Sequence, residues 1–236
     1  MLSEHCLFCH GEMGARVSWA CFFEEAEESF LCPSCEAQLT KIQGETCQIC
    51  CRSLEKLDPQ YIHGDLCYDC LRWEEDPEWK GFLRKNDSLY LYNDFLKELI
   101  SQYKFRGDYI LAKAFSRKIN EKLRRIEYDY IVPIPLSTKR QFERGFNQSE
   151  ALIREAGLSP AYLLQRTHSE KQSKKSRSER IHIPQVFELK AESGIKDKKI
   201  LLIDDIYTTG STLRHAAKIM MQAGAKSVMS FTLARG

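Results

Sequence analysis

Two adjacent acids near the end of the chain stand between an apolar run and a loop of small hydroxyl residues. The apolar run covers residues 200–203, the acids are Asp204 and Asp205, and the loop covers residues 208–212. In open α/β sheets, ligands bind at the carboxyl ends of strands, and the exposed amides at a helix N-terminus suit a phosphate. The stretch therefore predicts a sugar-phosphate site, in which the acids accept hydrogen bonds from sugar hydroxyls and the loop holds the phosphate.

The simpler interpretation of this stretch is a strand, a turn and a capped helix that bind nothing. That interpretation does not explain why two consecutive acids stand at the end of a strand that its apolar residues predict to be buried. The loop lacks the Gly-Lys-Ser/Thr of a Walker A motif and the G-x-G-x-x-G of a dinucleotide fingerprint. Its one glycine, Gly210, has no side chain and allows the backbone to approach a ligand closely.

Cysteine pairs at metal-ligand spacing fill the first part of the chain, and all 10 cysteines lie between Cys6 and Cys70. Four C-x2-C pairs account for most of them, and these pairs are Cys6 and Cys9, Cys32 and Cys35, Cys47 and Cys50, and Cys67 and Cys70. Two residues between thiolates form a tight turn that places both sulfurs on one side, and two such turns complete a tetrahedron around Zn²⁺. The pattern predicts two structural zinc sites, because four thiolates leave no open position for water.

The spacing alone does not decide which cysteine pairs share a metal ion. Sequential pairing, which gives two zinc ribbons, is favoured over an interleaved cross-brace, and zinc is favoured over disulfides, which are rare in cytosolic proteins. Cys21 and Cys51 are interpreted as bystanders, although Cys51 could compete with Cys50 as a ligand. Large apolar residues are few in this region, so that metal binding and folding are expected to be coupled.

The charges divide the chain at about the same place as the cysteines do. Residues 1–80 hold 6 Lys/Arg against 16 Asp/Glu, and residues 81–236 hold 29 against 17. This asymmetry reflects either the attraction between two domains or a polyanionic partner of the basic part. We expect a zinc-ribbon domain over residues 1–76 and an α/β domain over residues 77–236. Trp73 and Trp79, in the acidic connection between them, are expected to hold the two domains together.

Membrane and secreted classes are disfavoured by the composition. No apolar run approaches the ~20 residues that a membrane span needs. Residues 1–6 lack the basic start and apolar core of a signal peptide. A cytoplasmic protein that does not insert into membranes is therefore expected.

Hydrophobic periodicity in the second part of the chain alternates between strands and helices. Strands are predicted at residues 88–92, 128–134, 186–189, 199–203 and 227–233, and helices at residues 94–103, 110–119, 148–156 and 213–223. Asp108 is expected to cap the second of these helices. The alternation is typical of a mainly parallel sheet with crossover helices. Residues 168–180 are polar, basic and aperiodic, which favours a lid over an anion rather than a plain surface loop.

Residues 200–212 resemble the phosphoribosyl-diphosphate (PRPP) motif of type I phosphoribosyltransferases. The wider chain is similar to the ComF family of competence proteins, which join cysteine-pair zinc ribbons to such a domain. Besides the cysteine pairs, this narrower resemblance is carried by YKFRGD at residues 103–108, VPIP at 132–135, RGFNQ at 144–148 and FTLAR at 231–235. The resemblance implies an α/β fold of the type I phosphoribosyltransferase kind, with a mainly parallel sheet flanked by helices and a small zinc-ribbon domain before it.

The resemblance also implies roles for individual residues. Asp204 and Asp205, the expected catalytic pair, would contact the ribose 2′ and 3′ hydroxyls, and residues 133–136 would face pyrophosphate with Mg²⁺. The residues expected to bind PRPP or phosphate are Thr208, Thr209, Gly210, Ser211, Thr212, Pro133, Ile134, Pro135, Lys104 and Arg144. In the lid, the family pattern has a polar residue near position 183, where this chain has Ile183.

Two functions are compatible with these features. The resemblance implies a role in DNA uptake during transformation, alongside a helicase-like ATPase partner. Basic surfaces with interleaved aromatic rings, such as Tyr90, Tyr92, Tyr103 and Phe105 in this chain, bind single strands, so that single-stranded DNA is the expected polyanion. The alternative is phosphoribosyl transfer from PRPP to an acceptor, for which the sequence identifies no base-recognition pocket. We expect the first function, with PRPP or a related nucleotide bound at the acidic pair. Whether anything is transferred there stays open.

Overall fold

The structure is a computed structural model that describes residues 4–13, 29–105, 107–167, 187–190 and 194–236. The predicted lid at residues 168–180 lies outside these ranges, as do Cys21, Arg106 and Ile183. None of the described helices is long and apolar enough to cross a membrane.

The described elements alternate between strands and helices after a cysteine-rich start. The strands are β1 (Ile62–His63), β2 (Leu66–Cys67), β3 (Lys85–Leu91), β4 (Tyr130–Pro133), β5 (Leu164–Arg166), β6 (Phe187–Leu189), β7 (Lys199–Tyr207) and β8 (Ser227–Arg235). The helices are α1 (Pro33–Glu36), α2 (Tyr68–Glu75), α3 (Asp94–Phe105), α4 (Ser116–Leu123), α5 (Thr138–Arg144), α6 (Gln148–Glu155) and α7 (Ser211–Gln222). Two 3-10 helices cover Pro59–Tyr61 and Tyr109–Phe115.

A four-stranded parallel sheet forms the centre of the fold, with the strand order β3-β8-β7-β4. Its central strands are rich in apolar residues because both faces of the sheet are covered. Helices α3, α4 and α6 pack on one face, and α7 packs on the other. The parallel sheet with crossover helices confirms the predicted fold class. The pairs β1–β2 and β5–β6 are small antiparallel additions.

The cysteine pairs pack into the cores on both faces of this sheet. Cys6 and Cys35 belong to the core on the α3 side, and Cys47, Cys50 and the last cysteine pair belong to the core on the α7 side. Residues on both sides of position 76 therefore share the same apolar cores.

The tryptophans of the predicted connection lie against α7. The rings of Trp73 and Trp79 are 5.2 Å apart, and Trp79 lies 4.5 Å from the ring of His215. Both indoles are buried. Contact with α7 agrees with the expectation that they hold the two parts of the chain together.

Two local expectations were wrong. The strand predicted to end at Ile203 continues to Tyr207, because β8 pairs with it as far as Arg235. Asp204 and Asp205 therefore lie within the strand. Asp108 does not cap the following helix with its side chain. Its ψ of 69° departs from the extended conformation of an N-cap, and the chain enters the 3-10 helix Tyr109–Phe115 instead.

The central strand gives a direct test of the core. Leu201 is 0% exposed in β7. We expect Leu201→Ala to lower the free energy of unfolding by about 2–5 kcal/mol, because it removes buried apolar contacts and leaves a cavity. Ile110→Ala, at a position that is 39% exposed, is the matched control. Equal losses in denaturant unfolding of the two variants would contradict the assignment of Leu201 to the core.

Candidate functional site

The acidic pair lies at the carboxyl end of the sheet, beside α3 and α6. Lys104, in the last turn of α3, forms an ion pair with the Asp205 carboxylate. Asp204 Oδ1 accepts hydrogen bonds from Ser149 Oγ at 3.2 Å and from the Asp205 amide at 2.9 Å. One carboxylate is thus paired with a cation, while the other is held by neutral donors.

Burial and the neighbouring charge of Asp205 determine the protonation of Asp204. Burial raises the pKa of Asp204 to about 7, and the charge of Asp205 adds to the effect. Lys104 opposes the shift but pairs directly with Asp205. A carboxyl group with this pKa is divided between its two protonation states near neutral pH, so that it can accept hydrogen bonds from a sugar diol or exchange a proton with a ligand.

Asn147 connects the acidic pair to the loop at residues 133–136. Its Oδ1 caps α6 by accepting hydrogen bonds from the amides of Ser149 (2.9 Å) and Glu150 (3.3 Å). Its Nδ2 donates to the Ile134 carbonyl at 2.9 Å. The Ile134 amide donates to the Ile203 carbonyl at 3.0 Å. The predicted residues Pro133, Ile134 and Pro135 are therefore placed beside the strand that carries the acids.

Three arginines surround this edge of the sheet. Burial lowers the pKa of Arg144, and the nearby charges of Asp205 and Asp204 counteract the shift. Burial also lowers the pKa of Arg166, where Asp204 again counteracts it. The charge of Arg140 lowers the pKa of both arginines. The arginines at this edge repel one another and are attracted to the acids. An anion would interact favourably with the arginines, and a cation bound to that anion would interact favourably with the acids.

Of these arginines, sequence reasoning identified Arg144 and missed Arg140 and Arg166. Arg166 stands in the short strand β5, and no motif spacing connects it with the acids. Asn147 and Ser149 were also missed as site residues. The stretch RGFNQ contains Asn147, and an Asn directly before a helix is a signal for its capping role.

The predicted phosphate loop, residues 208–212, connects β7 to α7. Gly210 precedes the helix with a φ of 80°, and a Cβ there would collide with the Tyr207 hydroxyl, so that glycine is required. Gly210 has no side chain to cap α7, the Ser211 amide donates to Thr209 Oγ1 at 3.5 Å, and the first turn contains no acid. Thr208 and Thr212 are exposed, and Thr209 and Ser211 are half-buried. All five predicted loop residues therefore stand at the amide-rich start of a helix, next to the acidic pair.

Two aromatic rings are exposed on the helices that carry Lys104 and Arg144, whereas Tyr90 and Tyr103, which were expected to stack on bases, are buried. Phe142 in α5 is 90% exposed, and Phe105 at the end of α3 is 69% exposed. The Arg144 guanidinium lies 5.5 Å from the ring of Phe105, and Arg140 is exposed on α5. We call Phe105, Phe142, Arg140 and Arg144 the aromatic rim. The Phe105 ring offers an apolar face beside the Arg144 cation, and Phe142 adds a second exposed ring on the helix of Arg144.

The eight paired cysteines form two groups of four, and each group can hold a structural zinc ion. Cys6, Cys9, Cys32 and Cys35 make up the first group and Cys47, Cys50, Cys67 and Cys70 the second, with the ligand atoms of each within 4.8 Å of one another. The grouping is the sequential one, and Cys51 belongs to neither group.

The sulfur positions fit a tetrahedral ion. The Sγ atoms of Cys9 and Cys32 are 3.7 Å apart, and those of Cys50 and Cys67 are 3.6 Å apart. Zn–S bonds of about 2.3 Å give a tetrahedral edge of about 3.8 Å.

Comparisons with known proteins agree with this architecture. A family profile described as phosphoribosyl transferase domain matches residues 109–236. The chain is 39% identical to competence protein ComFC of Bacillus subtilis (strain 168) over 234 residues, which cover 98% of this chain and 94% of that protein. It is 36% identical to competence protein ComFC of Streptococcus pneumoniae (strain ATCC BAA-255 / R6) over 232 residues, which cover 98% and 99%.

A third relative is more distant. DNA utilization protein YhgH of Escherichia coli (strain K12) is 27% identical over 227 residues, which cover 87% of this chain and 96% of that protein. Because the matches to the two ComFC proteins extend over nearly their whole length, the chain belongs to the ComFC family of competence proteins, with a phosphoribosyltransferase-type domain and two four-cysteine clusters.

Proposed function

We propose that this protein handles single-stranded DNA in the cytoplasm during DNA uptake and holds a ribose 5-phosphate group, as in PRPP, at the β7–α7 site. A helicase-like ATPase is its expected partner in that process. One observation carries the proposal: Lys104, which pairs with Asp205, is followed directly in α3 by the exposed ring of Phe105 beside Arg144. The ribose and phosphate of PRPP complement the acidic pair and the loop, and the bases and phosphates of a DNA strand complement the rim.

The ribose 5-phosphate part of the proposal is supported by the sequence of groups along β7 and α7. Asp204 and Asp205 offer carboxylate oxygens to the ribose hydroxyls, and Gly210 and the first turn of α7 offer amides to the phosphate. The arginines near Asp204 would neutralise a pyrophosphate. Mg²⁺ would enter with PRPP, because pyrophosphate and carboxylate oxygens are the ligands that it prefers.

The DNA part of the proposal is supported by the aromatic rim and by the charge of residues 81–236. Bases of any sequence stack on exposed aromatic rings, and the phosphates between them pair with nearby cations. Phe142 is almost fully exposed on a helix that also carries Lys139 and Arg140. An exposed ring of this kind has no role in packing its own core.

The acidic pair can be tested by substitution. Asp204→Asn combined with Asp205→Asn should abolish binding of ribose 5-phosphate and of PRPP in calorimetry, because both carboxylate acceptors for the ribose hydroxyls are lost. The fold should survive, as judged by circular dichroism. Asp129→Asn is the control, since Asp129 pairs with Lys198 at the opposite end of the sheet. Unchanged affinity of the double variant would refute this site.

Pyrophosphate release from PRPP by the wild type would instead support the phosphoribosyltransferase alternative.

The pKa of Asp204 gives a pH dependence. Between pH 6 and pH 8 its ionised fraction rises from about one tenth to about nine tenths, so that ribose 5-phosphate should bind up to about tenfold more tightly at pH 8. The Asp204→Asn variant should lack this increase. The ionisation of the ligand phosphate affects both proteins equally, and the difference between them therefore isolates Asp204. Parallel pH profiles would contradict the assignment.

The protein without ligand gives an independent check of the same group. The pKa of Asp204 is higher in the folded state than in the unfolded state, so that the folded state binds the proton more tightly. The contribution of Asp204 to stability is therefore greatest below pH 4 and is lost as the pH rises to about 7. Asp204→Asn should gain thermal stability over the wild type at pH 8, and this gain should shrink towards pH 4.

The aromatic rim can be tested with a labelled oligothymidylate in fluorescence anisotropy. Phe142→Ala should weaken binding by about 1–3 kcal/mol, because a stacked base loses its platform, and should leave the salt dependence unchanged. Arg140→Ala should instead lower the slope of log K against log salt by about 0.7. Tyr61→Ala, an exposed aromatic residue in the acidic part of the chain, is the matched control. Equal effects of Phe142→Ala and Tyr61→Ala would refute this surface.

A further inference from the structure

Arg235, the last residue of β8, connects the second four-cysteine group to the phosphate loop. Its side chain is buried, with only 2% of the residue exposed. Nη2 donates to Cys50 Sγ at 3.1 Å, and Nη1 donates to the carbonyls of Tyr207 and Thr208, both at 3.0 Å. The guanidinium also lies 4.8 Å from the ring of Tyr207. A single rigid group thus contacts a metal-ligating sulfur and two consecutive residues at the start of the loop.

The next loop carbonyl is held from the same direction. Trp73 Nε1, in the helix that begins directly after Cys67, donates to the Thr209 carbonyl at 3.1 Å. The guanidinium carbon of Arg214, in α7, lies 5.2 Å from the centre of the Trp73 ring. Its Nη1 lies 2.7 Å from Glu74 Oε1, and its Nη2 lies 3.9 Å from Cys70 Sγ. The carbonyls of three successive residues therefore accept hydrogen bonds from Arg235, which contacts the second four-cysteine group, and from Trp73, which belongs to the helix that carries Cys70.

This orientation fixes the amides of the loop. In a trans peptide, the carbonyl of one residue and the amide of the next point in opposite directions. The described peptide bonds include no cis bond. Holding the carbonyls of Tyr207, Thr208 and Thr209 therefore turns the amides of Thr208, Thr209 and Gly210 away from the Arg235 and Trp73 donors. These are amides of the proposed phosphate site.

The charges of the second group account for the buried arginines. Zn²⁺ with four thiolates carries a net charge of about −2. Arg214 and Arg235 are almost fully buried, and buried cations require anionic partners. The metal-bound thiolates supply these partners, together with Glu74. The two arginines come from the α/β part of the chain, so that the zinc centre and the phosphate site share them.

We propose that Arg235 is a positioning residue for the ribose 5-phosphate site, which transmits the geometry of the second four-cysteine zinc centre to the phosphate loop. This inference rests on the proposed binding of ribose 5-phosphate. It assigns a physical role to the terminal stretch FTLAR, whose arginine does not itself touch the ligand. The second zinc centre then supports the phosphate loop, whereas the first centre contacts the α/β part through other groups, among them the ion pair between Glu36 and Lys118.

The decisive experiment measures amide hydrogen exchange of residues 207–213 without ligand, together with zinc content and ribose 5-phosphate affinity. Arg235→Met keeps the length of the side chain but removes its donors. It should speed exchange in the loop and weaken ribose 5-phosphate binding by about tenfold or more, since hydrogen bonds from a charged donor are lost. Arg235→Lys keeps the charge and should recover part of both losses. Lys118→Met, which breaks the ion pair at the first zinc ribbon, is the matched control and should leave the loop unchanged.

Cobalt substitution gives a readout that a merely structural role would not affect. A hydrogen bond to a metal-bound thiolate withdraws electron density from the sulfur and tunes the metal centre. In the protein loaded with Co²⁺, Arg235→Met should therefore shift the thiolate-to-cobalt charge-transfer band. Addition of ribose 5-phosphate should shift the same band in the wild type. The Lys118→Met substitution itself should leave the band unchanged.

The possible failures can be told apart. Unchanged loop exchange and an unchanged cobalt band in Arg235→Met would overturn the role of Arg235. If Arg235→Met does not fold, Arg235→Lys with two bound zinc ions provides the test instead. Amide exchange and ribose 5-phosphate affinity equal to those of the wild type in Arg235→Lys would also overturn the role of Arg235. A wild-type protein that does not bind ribose 5-phosphate would overturn the proposed function, while loop exchange without ligand would still decide whether Arg235 positions the loop.

Discussion

Two adjacent carboxylates within a buried strand repel each other and lose hydration, and the surrounding structure must compensate for both effects. Lys104 neutralises Asp205, while Ser149 and a backbone amide donate to Asp204. This compensation requires the end of α3 and the start of α6 to meet at the carboxyl edge of the sheet. Burial and the charge of Asp205 keep the pKa of Asp204 raised, and within the described part of the chain no ion pair with Asp204 offsets them. A ligand that supplies hydroxyl donors or a hydrated cation would complete the arrangement.

A second compensation lies on the other side of the same strand end. The buried guanidinium groups of Arg214 and Arg235 require anions, and they lie beside the sulfurs of Cys70 and Cys50, which become thiolates when they ligate a metal ion. The cysteine-rich part is therefore more than an appendage, because it fills apolar cores on both faces of the sheet and contacts the phosphate loop. The opposite net charges of the two parts of the chain are consistent with this mutual dependence.

The features set by local spacing could be predicted from the sequence, and those set by contacts between distant residues could not. The cysteine spacing predicted both four-cysteine groups, and the periodicity predicted a parallel sheet. The apolar pattern ended β7 at Ile203, because the run of apolar residues stops at Asp204. The backbone pairing between β7 and β8 continues beyond that residue to Tyr207. Arg166 and Arg235 escaped assignment to the site because each reaches it across the fold.

The acidic pair and the aromatic rim are parts of one surface. Lys104 and Phe105 are consecutive in α3, and the first pairs with Asp205 while the second lies exposed beside Arg144. Arg144 in turn is close enough to Asp205 for their charges to interact. A nucleotide unit in a DNA strand presents a sugar, a phosphate and a base next to one another, whereas PRPP presents only the first two. Deoxyribose has no 2′ hydroxyl, and its 3′ oxygen is esterified within a strand, so that under the proposed function the acidic pair holds the ribose diol of PRPP or a related ribonucleotide while the neighbouring rim stacks the bases of DNA.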